Sequence, residues 1–135
     1  MTEEIKCSCG DATDEIKCSC ESDNVGIFPC AGASNVGQIS NMVAVKLAKK
    51  GVGTMMCTVG IGGHRSGIVK SAEGCDYIIA IDGCPLNCAK ETLEHAGIPV
   101  SKNIVLTELG IKKNHDLDIL PSQVEEALAK VADCL

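Results

Sequence analysis

Short apolar runs alternate with segments of helical periodicity from Asn24 to the end of the chain. The runs that predict strands cover residues 25–29, 54–59, 77–81 and 103–109. Between them, apolar residues recur every three or four positions, which is typical of helices with one buried face. This alternation, with short connections, predicts an open parallel sheet covered by helices on both faces. We therefore expect a flavodoxin-like α/β domain with the element order βαβαβαβα and the strand order 2-1-3-4.

Capping residues predict where the helices begin and end. A capping-box pattern at Asn35 indicates the start of the first helix, and Gly51 indicates its end. Residues 66–72 are predicted to form a short second helix. Pro85 is expected at the first position of the third helix, where its missing N–H costs nothing, so that Cys84 becomes the cap. The last helix is expected to be capped by Ser122 and to bury Val124, Leu128, Val131 and Leu135.

Residues 1–23 differ from the rest of the chain. They hold seven acidic residues and two lysines, a net charge of −5 out of −6 for the whole chain. EEIKCSC at residues 3–9 recurs as DEIKCSC at residues 14–20. With almost nothing to bury, this segment is predicted to be a flexible acidic tail, and residues 24–135 the folded domain. Its tandem Cys-x-Cys pairs predict a possible second metal site at Cys7, Cys9, Cys18 and Cys20.

Composition and charge exclude several classes of protein. An acidic chain lacks the basic surface that nucleic acids require, and no apolar stretch is long enough for a membrane helix. The first residues lack the basic start and apolar run of a secretory signal, so we expect a cytoplasmic protein. In a reducing compartment, ten cysteines indicate metal binding or redox chemistry rather than disulfides. The sequence indicates a metal ion as a partner and identifies no protein partner.

Cysteines follow or end three of the predicted strands. Cys30 comes after the first strand, Cys57 lies late in the second and Cys84 follows the third. In the order 2-1-3 these strands are neighbours about 4.8 Å apart, so one ion could bridge their side chains. Cys88 lies one helical turn beyond Cys84 on the same face. The sequence thus predicts a metal site made by these four cysteines.

Thiolate chemistry suits this arrangement. A helix N-terminus stabilises thiolates, so the pKa values of Cys84 and Cys88 are expected to be lowered. Four cysteine ligands favour zinc, with an iron–sulfur cluster as the alternative. No catalytic set of Ser, His and Asp, and no carboxylate pair, is recognisable in the sequence.

Several motifs of this chain also occur together in one family. They are PCAGA at residues 29–33, VGQ at 36–38, GIGG at 60–63, SGI at 66–68 and IDGCPLNCAK at 81–90. Together they resemble the DGC-domain family, which is named for its Asp-Gly-Cys tripeptide and described as zinc-binding. The resemblance covers about residues 25–115. It implies four chelating cysteines, which match Cys30, Cys57, Cys84 and Cys88.

Other residues have both a functional and a structural interpretation. The glycine-rich residues 60–67 could hold an anion or form a tight turn, and His64 could be a ligand or a proton donor. Asp82 could act as a base or orient the site, or it could bind the turn's backbone, and Asn87 is expected to be a local backbone partner. Residues expected to be structural or solvated are Cys75, His95, His115 and Cys134.

Three functions remain open from the sequence. The first is a metal-binding protein whose tail captures or transfers the metal. The second is a thiol-based redox or sulfur-handling enzyme in which Cys84 or Cys88 is the nucleophile and Cys30 its resolving partner. The third is an iron–sulfur electron carrier.

Overall fold

Two buried parallel strands form the centre of the fold. In a computed structural model, which describes residues 24–135, β1 spans Val25–Pro29 and β3 spans Tyr77–Asp82. They pair in parallel from Val25 opposite Tyr77 to Pro29 opposite Ile81. Both strands are almost entirely buried because helices cover both faces of the sheet. The unbroken apolar runs in the sequence therefore identified the two central strands correctly.

Two shorter strands complete the sheet. β2, Thr54–Met55, lies beside β1, and β4, Lys102–Val105, lies beside β3. The order is β2-β1-β3-β4 with every pair parallel. This confirms the predicted α/β class and the predicted order 2-1-3-4. The carboxyl ends of all four strands consequently lie at one edge of the sheet.

Helices cover the two faces of the sheet and enclose two separate cores. The helices are α1 (Asn35–Lys49), α2 (Thr58–Gly62), α3 (Ser66–Glu73), α4 (Cys88–His95), a 3-10 turn (Leu106–Leu109) and α5 (Pro121–Ala132). Ile27, Ile79 and Ile81 point to the face covered by α1 and α5, whereas Phe28 and Ala80 point to the face covered by α2, α3 and α4. None of the helices within residues 24–135 has the length and apolar content to cross a membrane.

Two predicted strands are shorter than expected. The second ends at Met55, and Thr58–Gly62, partly predicted as strand and partly as glycine-rich loop, is the helix α2. The Thr58 hydroxyl donates to the carbonyl of Pro29 at 2.9 Å, so the start of this helix contacts the end of β1. The fourth strand ends at Val105, and the next residues form the 3-10 turn. An apolar run alone does not separate a strand from a short buried helix.

The starts of three helices also differ from the prediction. The first helix begins at Asn35, but Ser34 is the cap, with its Oγ accepting the Gly37 N–H at 3.1 Å. The last helix begins at Pro121 rather than after Ser122, and the Gln123 side chain accepts the Leu120 N–H. The helix predicted to begin at Pro85, α4, begins three residues later, at Cys88. Leu135, expected to be buried, is 48% exposed.

Close backbone packing at Gly37 generates a test of this fold. A Cβ there would lie 2.7 Å from the backbone N and O of Gly32, in the loop that carries Cys30. Gly37→Ala should therefore lower the free energy of unfolding by about 1–3 kcal/mol, measured by urea denaturation. Gly67→Ala is the matched control, because nothing lies within 4 Å of a Cβ there, and it should gain up to about 1 kcal/mol. Equal effects of the two substitutions would contradict the packing described.

Candidate metal centre

A cleft of about 910 Å³ opens at the carboxyl edge of the sheet. Cys30, Cys57 and Cys88 all line it, together with apolar side chains that include Met55 and Val59. Three of the four cysteines singled out in the sequence therefore share one concave surface. The fourth, Cys84, does not line the cleft.

Backbone hydrogen bonds on both sides hold Cys30 at the end of β1. Its N–H donates to the carbonyl of Ile81 at 2.8 Å, which extends the β1–β3 ladder by one residue. Its carbonyl accepts the Ser40 hydroxyl of α1 at 2.6 Å. The central strand pair and the first helix thus fix this main-chain position, and the half-buried side chain is left at the cleft.

Cys57 begins α2 instead of ending a strand. It is the N-cap residue, and its Sγ accepts the Gly60 N–H at 3.3 Å. The preceding residue, Met56, still donates its N–H to the carbonyl of Ile27, so the chain leaves the sheet just before Cys57. The prediction that Cys57 lies late in the strand is wrong, although the residue does reach the predicted edge.

The Cys84–Cys88 segment forms a turn followed by a helix. Pro85 is not the first helical residue, because α4 begins at Cys88 and Asn87 is its cap residue. Asn87 has the left-handed conformation, φ 55°, and donates its N–H to the carbonyl of Cys84 at 3.1 Å. Only Cys88 therefore belongs to the first turn of the helix. Cys84 instead packs against the core beneath α1 and α5, and the Lys113 Nζ lies 3.5 Å from its Sγ.

The buried carboxylate of Asp82 holds the start of α4 against the sheet. Its Oδ1 accepts the Ala89 N–H at 2.7 Å, and its Oδ2 accepts the Lys90 N–H at 3.2 Å and the Asn103 side-chain amide at 3.0 Å. These two backbone donors are otherwise unpaired at a helix start. Asp82, the last residue of β3, thereby fixes the helix that carries Cys88. These bonds support its structural interpretation.

Neighbouring charges and burial disfavour the thiolate of Cys88. Burial raises the pKa of the Cys88 thiol, and the charges of Cys30, Asp82 and Cys84 raise it further, while Lys113 lowers it. The prediction of a lowered pKa at Cys88 is therefore wrong for the protein without a bound metal. Desolvation and the neighbouring negative charges both oppose the thiolate, and a bound cation would offset these charges.

Three cysteines line the cleft without forming a ligand set. Within residues 24–135, no three side chains of Cys, His, Asp or Glu are arranged so that they could hold a metal ion together. The six cysteines in that part of the chain are free thiols. The four-cysteine site thus stays a prediction. The tail cysteines Cys7, Cys9, Cys18 and Cys20, and the predicted flexibility of their segment, lie outside the described residues.

The remaining candidate residues have structural contacts. His64 has a left-handed backbone, φ 54°, and its ring lies 5.4 Å from that of His95. Cys75 contacts the Met56 sulfur at 3.7 Å, and burial, with a smaller contribution from Asp76, raises the pKa of its thiol. Cys134 contacts the carbonyl of Lys130. These contacts agree with the structural interpretation of both cysteines.

Long-range contacts around the site had no signal in the sequence. Lys113 lies 29 residues beyond Cys84, in a polar segment without recognisable periodicity. Asn103 reaches the Asp82 carboxylate from the neighbouring strand, and Ser40 reaches Cys30 from a helix. The contact of Asn103 with Asp82 could have been predicted only from the register of β3 and β4, in which Asn103 pairs with Ala80.

Comparison with known proteins identifies the class of this domain. The DGC-domain family model matches residues 26–131. The chain belongs to the DGC-domain family, as its motifs predicted. It is also similar to the "Anaerobic and virulence modulator AnvM" of Pseudomonas aeruginosa, at 31% identity over 105 residues, which cover 78% of this chain and 80% of that protein. No solved structure gives a significant match.

The hydrogen bonds of Asp82 generate a second test. In Asp82→Asn an amide nitrogen replaces one accepting oxygen and faces donors, so we expect a loss of about 2–3 kcal/mol of unfolding free energy. Cys88 should also react faster with an alkylating reagent, because the start of α4 is no longer fixed. Asp76→Asn is the control: this exposed carboxylate accepts one N–H, from Asn24, which an amide oxygen can still accept. If the two variants match in stability and in Cys88 reactivity, Asp82 does not hold the helix.

Proposed function

We propose that this domain binds a metal ion, zinc, through the thiolates of Cys30, Cys57, Cys84 and Cys88. The observation that carries the proposal is the convergence of Cys30, Cys57 and Cys88 on one cleft at the carboxyl edge of the sheet. Thiolates in a tetrahedral set are the donors that zinc prefers in structural and transfer sites. The donor chemistry of this edge therefore fits the metal that the family resemblance implies.

Binding requires the sulfurs to move toward one another. Rotation about χ1 displaces a cysteine sulfur by up to about 3 Å without moving the backbone. Cys57 and Cys88 are exposed and Cys30 is half-buried, so these side chains have room to turn. A divalent cation would also offset the like charges that raise the pKa of Cys88.

The surroundings of Cys88 argue against this thiol as the nucleophile of a redox enzyme. An attacking cysteine needs a stabilised thiolate, whereas partial desolvation, and then the neighbouring negative charges, raise the pKa of Cys88. An iron–sulfur cluster would use the same four thiolates and would give a brown protein. We place the protein in a reducing compartment, the cytoplasm, where free thiols persist.

We further propose that the tail captures metal and passes it to the cleft. The chain enters the domain at the amino edge of the sheet, where the Asn24 N–H donates to Asp76 and the Asn24 carbonyl accepts the Asp76 N–H. β1 then rises by about 3.3 Å per residue, so Asn24 and Cys30 are about 20 Å apart. Any direct transfer from the tail must cover this distance.

Covalent reach separates the two Cys-x-Cys pairs. Cys20 lies four residues before Asn24 and reaches at most about 14 Å from it. Cys18 attains about 21 Å only when fully extended. Cys9 lies 15 residues before Asn24, so the first pair can span about 50 Å. We therefore assign direct transfer of metal to the cleft, within one molecule, to Cys7 and Cys9.

Metal content tests the domain site. We expect the full chain, with its four tail cysteines changed to serine and purified without oxygen, to hold about one equivalent of zinc. In that background Cys84→Ser should lose most of the metal and several degrees of thermal stability, since a metal bound only by the folded state stabilises it. Cys134→Ser, which removes a thiol at the end of the chain, should keep both. Less than half an equivalent of any transition metal in the parent would refute the site.

Separate loss of the two tail pairs tests the transfer. After one equivalent of zinc is added to the full chain, protection of Cys88 from alkylation reports arrival at the cleft. Cys7→Ser/Cys9→Ser should make this arrival slower and dependent on protein concentration, whereas Cys18→Ser/Cys20→Ser should leave it fast and independent of concentration. Equal rates in both double variants would refute direct transfer from the first pair.

A further inference from the structure

A lysine from a distant loop contacts the one candidate ligand that lies outside the cleft. The Lys113 Nζ donates to the Cys84 Sγ at 3.5 Å. Lys113 belongs to residues 110–120, a connection between the 3-10 turn and α5 with no helix or strand of its own. An exposed lysine side chain on such a connection has many alternatives in water, so its position here needs a cause.

The first residue of α1 supplies that cause. Asn35, which is 2% exposed, makes three hydrogen bonds to the residues on either side of Lys113. Its side-chain amide donates to the carbonyl of Lys112 at 2.8 Å, and its Oδ1 accepts the Asn114 N–H at 2.6 Å. Its backbone N–H donates to the carbonyl of Asn114 at 3.0 Å. The connection is thus fixed at Lys112 and Asn114, and Lys113 lies between them.

A four-thiolate site needs a compensating cation. Four thiolates and one divalent ion leave a net charge of −2, and hydrogen bonds to ligand sulfur stabilise such a site. Cys84 packs against the apolar core beneath α1 and α5, where this charge is less well solvated than at the open cleft. The ammonium group of Lys113, 3.5 Å from the Cys84 sulfur, can offset part of this charge.

We propose that Lys113 is a positioning residue of the metal centre: it stabilises metal-bound Cys84 by an N–H···S hydrogen bond and its charge, and Asn35 holds it there. This inference rests on the proposed metal site and assigns a residue that the four-cysteine motif does not contain. Because Lys113 is exposed, its effect should weaken at high salt.

Release of zinc to an excess of chelator tests the lysine, in the full chain with the four tail cysteines changed to serine. Lys113→Met should release the metal about tenfold faster at low salt, the lower end of the range for outer partners of metal ligands. Lys113→Arg should restore slow release. Lys112→Met, the same charge change one residue earlier, should behave like the parent.

A spectroscopic readout separates this role from a general loss of stability. In the cobalt-substituted protein, Lys113→Met should move the sulfur-to-cobalt charge-transfer band to lower energy, because a thiolate without its hydrogen bond gives up electron density more easily. Lys112→Met should leave the band unchanged. A band and a release rate equal to the parent's in Lys113→Met would overturn the proposal. A parent that holds no metal would refute the site itself, which distinguishes the two failures.

The hydrogen bonds of Asn35 are tested by a double-mutant cycle. If Asn35 acts through Lys113, then Asn35→Ala alone should speed zinc release, and adding it to Lys113→Met should change the rate little further. If the double variant releases zinc faster by the product of the two single-variant factors, Asn35 does not act through Lys113. Should Asn35→Ala fail to fold, the single variants of Lys113 and Lys112 still decide the central claim.

Discussion

The buried carboxylate of Asp82 is the contact on which the site depends. It ends the central strand β3 and accepts two N–H groups from the first turn of α4 and one from the Asn103 side chain. A buried charge is tolerated only where donors surround it, and here they come from a helix start and a neighbouring strand. The same bonds fix Cys88 at the edge of the sheet. Strand, helix and candidate ligand are therefore held by one group.

The position of the site on an open cleft bears on its use. In a structural zinc site four protein ligands fill the coordination shell, so exchange of the metal requires an incoming ligand to reach the ion. Cys30, Cys57 and Cys88 line an accessible surface, and only Cys84 lies against the core. A metal held there would be reachable by another thiol, which suits capture and transfer better than a purely structural role. Lys113 would then stabilise the proposed ligand that does not line the cleft.

Predictions from the sequence succeeded where one element's own pattern determined its structure. The central strands and their order follow from unbroken apolar runs and short crossovers, which leave few topologies. They failed at Thr58 and Val59, which were predicted as strand but belong to α2, whose first residue bonds to the end of β1 across 29 positions. They also missed Lys113 and Asn35, whose contacts join residues 29 to 79 positions apart. Nothing local to those residues indicates such partners.

X-ray absorption at the zinc edge tests the central claim most directly, in the full chain with the tail cysteines changed to serine. A site made by Cys30, Cys57, Cys84 and Cys88 predicts four sulfur neighbours at about 2.3 Å and no nitrogen or oxygen in the first shell. Cys84→Ser should then show fewer sulfur neighbours in whatever metal it retains. A parent spectrum dominated by nitrogen or oxygen at about 2.0–2.1 Å would contradict the account.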